Sequence, residues 1–245
     1  MFRGWLPQEN YQTGDGTKNA AAVFAQNGFI TLAPDFLDYG GSDPRDPDEI
    51  TGRLESYPIA LTLLKSAENL KLVCASEVCP PMSNVPASTA KRGEQPPTSV
   101  FLYGHSNGGH LALAALEISK KPIPTVLWAP VSKPWPFSTL FFSDETDDKG
   151  KTQRKMLAKF EENYDVFKYS IDNYFDQITA PIQLHQGTQD PAVPYAWSDS
   201  FYKTLKEKDK DITYFKYPGN NHDLAQSWNL AITRSLTFFQ KHLAE

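Results

Sequence analysis

The chain has 245 residues, a formal net charge of −5 at pH 7, 40% hydrophobic and 13% aromatic residues, which is enough for one α/β domain to bury its own core and too apolar for disorder. Nucleic-acid binding rests on neutralising phosphates with Lys and Arg; an acidic chain without a basic cluster argues against it, so a small-molecule or peptide substrate is expected and nucleic acid is not. No apolar run approaches membrane-spanning length, and Met1 to Pro7 has no apolar signal core, so no membrane partner and a cytoplasmic location are expected.

Residues 1–16 read as a loop. Residues 19–27 read as a helix stopped by Gly28, and residues 29–33 (Phe-Ile-Thr-Leu-Ala) as a buried strand ended by Pro34. A turn-rich loop over 35–47 carries Tyr39-Gly40-Gly41-Ser42-Asp43-Pro44. Residues 57–72 have Leu61, Leu64 and Ala67 at helical spacing. From about 73 to 97 the composition turns to Ser, Pro and Thr, which predicts a surface excursion. It contains both cysteines, Cys74 and Cys79. With no further ligand at matching spacing they predict no metal site, and two free thiols or a local disulfide both fit.

Residues 99–103 form a short run of a strand, and from Asn107 onward Leu111, Ala114, Ala115 and Ile118 share one helical face. Between them stands Gly104-His105-Ser106-Asn107-Gly108, a G-x-S-x-G pattern in strand-turn-helix context, the signature of a nucleophile elbow. The glycines allow a reversal within a few residues, which lifts Ser106 to the carboxyl edge of a sheet. The backbone N–H of Asn107, first in the helix, points at the same spot and can bind a developing oxyanion.

Residues 124–128 predict another strand. Residues 132–180 form a second excursion, rich in aromatics at Trp135, Phe137, Phe141 and Phe142, with a helix over 151–163; placed after this strand, it is expected to cap the carboxyl edge where Ser106 stands. Strands over 181–186 and 212–217, a helix over 195–208 and a long helix over 224–243 complete the pattern. Strands alternating with helices predict a mostly parallel sheet covered on both faces, in a single domain over 1–245.

A serine hydroxyl needs a general base within hydrogen-bond reach, itself oriented by a carboxylate. On a nucleophile-elbow fold these follow in the order Ser, Asp or Glu, His. His222 is the histidine on a loop after the last strand: His105 and His110 adjoin the elbow, His185 lies inside a strand and His242 on the terminal helix. For the acid, Asp190 competes with Asp176, Asp199 and Asp223, and is favoured because it follows a strand in a short turn. Ser106, Asp190 and His222 are thus the candidate nucleophile, acid and base.

The segments at 29–42, 104–110 (Gly-His-Ser-Asn-Gly-Gly-His), 181–194 and 217–222 (Tyr-Pro-Gly-Asn-Asn-His) resemble an α/β-hydrolase of the prolyl oligopeptidase group, which includes dipeptidyl aminopeptidases and acylaminoacyl peptidases; dienelactone-hydrolase-type esterases are similar. The resemblance implies the same three residues in the same roles, a serine-type peptidase on short peptides or else an esterase, and no metal or organic cofactor. Relative to the family the chain looks truncated at its start: Arg3-Gly4-Trp5 occupies the turn that supplies the second oxyanion donor, by resemblance the Trp5 backbone N–H, and only Met1 and Phe2 remain of the strand before it. An uncovered sheet edge would invite homo-oligomerisation. A protein using its pocket without turnover is the competing expectation.

Overall fold

Short runs of β-branched and aromatic residues need neighbours to pair with, and four of them find each other in one sheet. The computed structural model describes residues 1–70 and 99–243. In chain order come α1 (Lys18–Gln26), α2 (Glu49–Leu54), α3 (Ser56–Glu68), β1 (Leu102–His105), α4 (Asn107–Ser119), β2 (Thr125–Trp128), α5 (Phe137–Ser143), α6 (Lys151–Glu161), β3 (Ile182–Gly187), α7 (Tyr195–Glu207), β4 (Ile212–Tyr217) and α8 (Trp228–Leu243). Among the described residues the strands lie in the order β1-β2-β3-β4, all parallel.

The register places Leu102, Thr125, Ile182 and Ile212 in one row, and the two-residue side-chain period sorts the rest. Leu102, Leu127, Ile182, Leu184 and Ile212 face the helices α3, α4 and α7. Tyr103, Val126, Trp128 and Tyr217 face α1 and α8 through Ala20, Phe24, Ala231, Ile232 and Phe239. α4 is buried along nearly its whole length, because it lies between the sheet, α3 and a 3₁₀ segment at Ile171–Gln177; a helix apolar all round belongs in such a place.

Residues 29–33 correct one expectation. They join no ladder, and Ile30 is 58% exposed. The reason lies at the β1 edge, where Phe2 donates to Tyr103 O at 2.8 Å and accepts from His105 N–H at 3.1 Å, a one-residue parallel bridge to Gly104. Beyond it, the Met1 ammonium donates to Leu32 O at 2.7 Å. These contacts place Met1 and Phe2, and not residues 29–33, against β1. The same contacts mean that the β1 edge is not bare.

Other boundaries move by small amounts. The short helix α2 appears where no element was expected, with Asp48 as its N-cap accepting from Thr51 N–H at 3.0 Å. The last helix begins at Trp228 rather than 224, because Leu224 takes a left-handed conformation (φ 53°) and a 3₁₀ turn follows. β1 runs on through His105, which the sequence pattern put in the turn.

The 132–180 excursion supplies α5, α6 and two 3₁₀ segments. Trp135, Leu157 and Val166 from it pack with Ile50 of α2 in a third core, separate from the two on the sheet. The expected excursion at 73–97, with Cys74 and Cys79, lies outside the described residues. Among those described, no helix is long and apolar enough to cross a membrane, and no group of three or more His, Cys, Asp or Glu is placed to hold a metal ion.

Candidate active site

β1 ends at His105 and α4 begins at Asn107, so Ser106 alone makes the turn, at φ 57° and ψ −122°. Such a conformation costs a non-glycine residue about 1–3 kcal/mol and persists only where its surroundings fix it. Here they do: Ser106 N–H donates to Trp128 O at 2.9 Å, and Ser106 O accepts from Gly109 N–H at 2.9 Å and Val131 N–H at 3.0 Å. The flanking glycines are required by contact. A β-carbon at Gly104 would lie 2.6 Å from Gly108 O, and one at Gly108 would lie 2.0 Å from Phe2 O.

On the other side of the site, His222 Nδ1–H donates to Asp190 Oδ2 at 2.8 Å. β3 delivers Asp190 through a tight turn, and the loop after β4 delivers His222. The Asp190 side chain has no accessible surface while that of His222 is 19% exposed, so the acid is shielded and the imidazole edge is not. Asp190 Oδ2 also accepts from Gln186 Nε2 at 2.9 Å, and Oδ1 from Ala192 and Val193 N–H, both at 2.8 Å. Burial pushes this carboxyl up, but the His222, Val193 and Ala192 donors together outweigh burial and hold it below the usual carboxylate range. Asp190 is therefore ionised, and its bond to Nδ1 leaves His222 Nε2 as the nitrogen available for proton transfer.

His105, the residue before Ser106, packs against His222. The His105 ring lies 4.6 Å from the His222 ring, and His105 Nε2–H donates to His222 O at 3.3 Å. Burial, helped by the neighbouring imidazole, pushes His105 down to about 4, so it stays neutral beside His222 at neutral pH. Among the described residues no hydrogen bond closes between Ser106 Oγ and the His222 ring; bonds of this kind commonly tighten only when substrate is bound. Of the competing acids, Asp176 and Asp199 pair with Lys208 and Lys216, and Asp223 Oδ1 lies 3.9 Å from His105 Nε2.

Asn107, as the first residue of α4, has an N–H without an intrahelical acceptor. The Trp5 N–H makes no backbone hydrogen bond among the described residues, and Gly4 before it packs against the serine: a β-carbon there would be 2.9 Å from Ser106 Cβ. What holds this turn is Arg3. Its guanidinium is buried, donates from Nη1 to Gly4 O at 2.9 Å and from Nη2 to Asp35 O at 2.8 Å, and lies 3.9 Å from the Tyr39 ring centre and 4.8 Å from that of Tyr11. Tyr11 and Thr13 hydrogen-bond the Asp35 carboxylate at 2.6 and 2.8 Å, and Tyr39 OH donates to Leu6 O at 2.6 Å.

A cleft of about 540 Å³ opens against Asn107 and the Gly4–Trp5 turn, the neighbours of Ser106, with Arg53 in its walls, and Thr139 and Gln153 contributed by the 132–180 excursion; Ser106, Asp190 and His222 are not among its lining residues. Arg3, Arg53, His105 and Gln186 are the residues to which sequence reasoning gave no role. Arg3 adjoins the donor turn in sequence and His105 sits inside the elbow pattern, so position was an available signal for both; for Gln186, inside a buried strand, only its polarity was.

Residues 86–245 match the model of the prolyl oligopeptidase family. Dipeptidyl aminopeptidase BIII of Pseudoxanthomonas mexicana is 27% identical over 157 residues, which cover 57% of this chain and 21% of that protein. Dipeptidyl peptidase family member 6 of Caenorhabditis elegans is 38% identical over 56 residues, covering 23% of this chain and 8% of that protein. The match thus spans less than a quarter of the length of either relative. Among solved structures, Est1E from Butyrivibrio proteoclasticus with ferulic acid bound superposes with a TM-score of 0.65 at 17% identity, over 100% of this chain and 88% of that one. TT1662 from Thermus thermophilus gives 0.63 at 16% identity, over 98% and 86%. These likenesses speak to the fold, which is that of an α/β-hydrolase, and the family match over well more than half of the sequence gives the lineage: the chain belongs to the prolyl oligopeptidase family.

Proposed function

We propose that this chain is a serine hydrolase working by acyl transfer through Ser106, with short peptides as substrates. The observation that carries the reading is the 2.8 Å bond from His222 Nδ1 to the buried Asp190 carboxylate, on the loops that follow β3 and β4, together with a serine held at φ 57° between β1 and α4. His222 Nε2 takes the Ser106 proton as Oγ attacks the carbonyl carbon. The Asn107 and Trp5 N–H groups receive the resulting oxyanion. As the intermediate collapses, the imidazolium gives its proton to the leaving amine, and the acyl-enzyme remains. Water then attacks the ester, deprotonated by the same nitrogen, and Ser106 is released with its proton restored. Asp190 keeps the imidazole in the required tautomer and stabilises its charged form.

The preference for peptides rests on the family and on a relative named as a dipeptidyl aminopeptidase; hydrolysis of esters uses the same groups and is the alternative a substrate panel separates. The test is intact-mass analysis after incubation with a fluorophosphonate, beside a Ser106→Ala control. A single adduct on the parent and none on the variant is expected. A well-folded parent that takes no adduct would overturn the proposal and leave a protein that uses its pocket without turnover.

A further inference from the structure

α2 presents Glu49 and Arg53 four residues apart, and both line the cleft beside Ser106. An acid four residues before a base is the orientation that pairs across a helix face, yet among the described residues these two form no ion pair within 4.0 Å, whereas other (i,i+3) and (i,i+4) pairs of the chain do. Arg53 turns the other way. Its Nη2 reaches Asn107 Oδ1 at 3.5 Å, a long bond to a neutral amide, and among the described residues the guanidinium forms no ion pair within 4.0 Å.

The other arginines of the cleft are engaged. Arg45 Nε holds Asp38 Oδ2 at 2.9 Å, and Arg3 is closed in by two carbonyls and the Tyr11 and Tyr39 rings. Below Arg53, the Tyr57 hydroxyl donates to His110 Nε2 at 2.8 Å while His110 Nδ1–H donates to Val131 O at 3.2 Å. Both ring nitrogens are therefore occupied, and neither Tyr57 nor His110 brings Arg53 a negative charge. A half-buried guanidinium with free donors, one side chain away from an oxyanion donor, matches the planar two-oxygen geometry of a carboxylate.

We infer that Arg53 binds a carboxylate of the substrate, a few bonds from the scissile carbonyl, and so selects substrates carrying one. The inference rests on the proposed acyl transfer at Ser106. Two sources share the chemistry: the C-terminus of a short peptide, and an acidic side chain within it.

The experiment follows the rate at which a fluorophosphonate labels Ser106 while matched ligands compete: Ala-Ala-Phe against its C-terminal amide, and Ala-Glu amide against Ala-Gln amide. In the parent, one carboxylate member should protect about tenfold better than its neutral partner, as expected for a charge-assisted bond. The pair showing the preference names the source. Arg53→Gln should erase it, and Arg53→Lys, which keeps the charge but not the fork, should retain part. No preference in the parent, or a preference that survives Arg53→Gln, would overturn the inference while leaving the hydrolase reading in place. Loss of labelling in both variants without any ligand would assign Arg53 to the support of Asn107 and overturn it too. An unlabelled parent would instead defeat the hydrolase reading, and this inference with it.

Discussion

The two sides of Ser106 are held in different ways. On the base side, Asp190 and His222 sit on loops anchored directly to paired strands, and the carboxylate takes four donors from its own turn, β3 and the imidazole. On the side of the proposed donor, the Gly4–Trp5 turn has a single bridge to the sheet, and it is held by one buried side chain, Arg3, packed over the touching rings of Tyr11 and Tyr39. The difference teaches that pairing of strands secures the proposed proton relay, whereas packing of loops secures the proposed oxyanion site, and the two should fail separately.

The largest effect tests the base side. Asp190→Asn removes the charge behind His222 and permits the wrong tautomer, and a loss in kcat on the order of 10⁴ is expected, with Tm much less changed. His222→Ala should be at least as severe in steady-state assays of any substrate the parent turns over. The next tests the donor side: Arg3→Met frees the Gly4–Trp5 turn, and kcat should fall about 10²- to 10³-fold, the usual cost of one oxyanion donor, with KM changed less. Arg3→Lys should recover part of the loss. An Arg3→Met variant with full kcat would break the comparison, because Trp5 N–H would then not be a donor.

The smallest effect concerns the helix that carries the elbow. Glu117 lies in the buried stretch of α4 with Oε1 unpartnered, and burial, aided by the Asp172 charge, pushes its carboxyl up to about 9. A folded pKa above the unfolded value of 4.5 means that this group favours the folded state below that value, and that its contribution is lost as pH rises toward about 9. Thermal melts should show the parent losing stability from pH 5 to pH 9, and Glu117→Gln should flatten that loss. An equally steep fall in the variant would remove Glu117 from the account.

Local patterns pointed to most of the candidate site. Gly104-x-Ser106-x-Gly108 names an elbow because only glycines tolerate contacts as close as that of Gly108 with Phe2 O. Asp190 and His222 could be picked out because each follows a strand in a short loop. Arg3 and Arg53 could not be assigned, since their partners Asp35 and Asn107 lie 32 and 54 residues away and such pairings are set by topology rather than spacing. Residues 29–33 have the composition of a strand but not the partner; pairing is a property of two segments, and one sequence window cannot supply it. α2 escaped notice because six residues are too few to display a helical period.

The small core of Ile50, Trp135, Leu157 and Val166 shares no residue with the two larger cores that flank the sheet, yet the elements it binds together put Arg53, Thr139 and Gln153 on the cleft wall. For directed evolution this is a modular arrangement. On the proposed function, a library that varies the cleft-facing positions of this unit should change what the cleft selects while the strained serine turn keeps its own supports, so new specificities could be explored without first restoring a damaged scaffold.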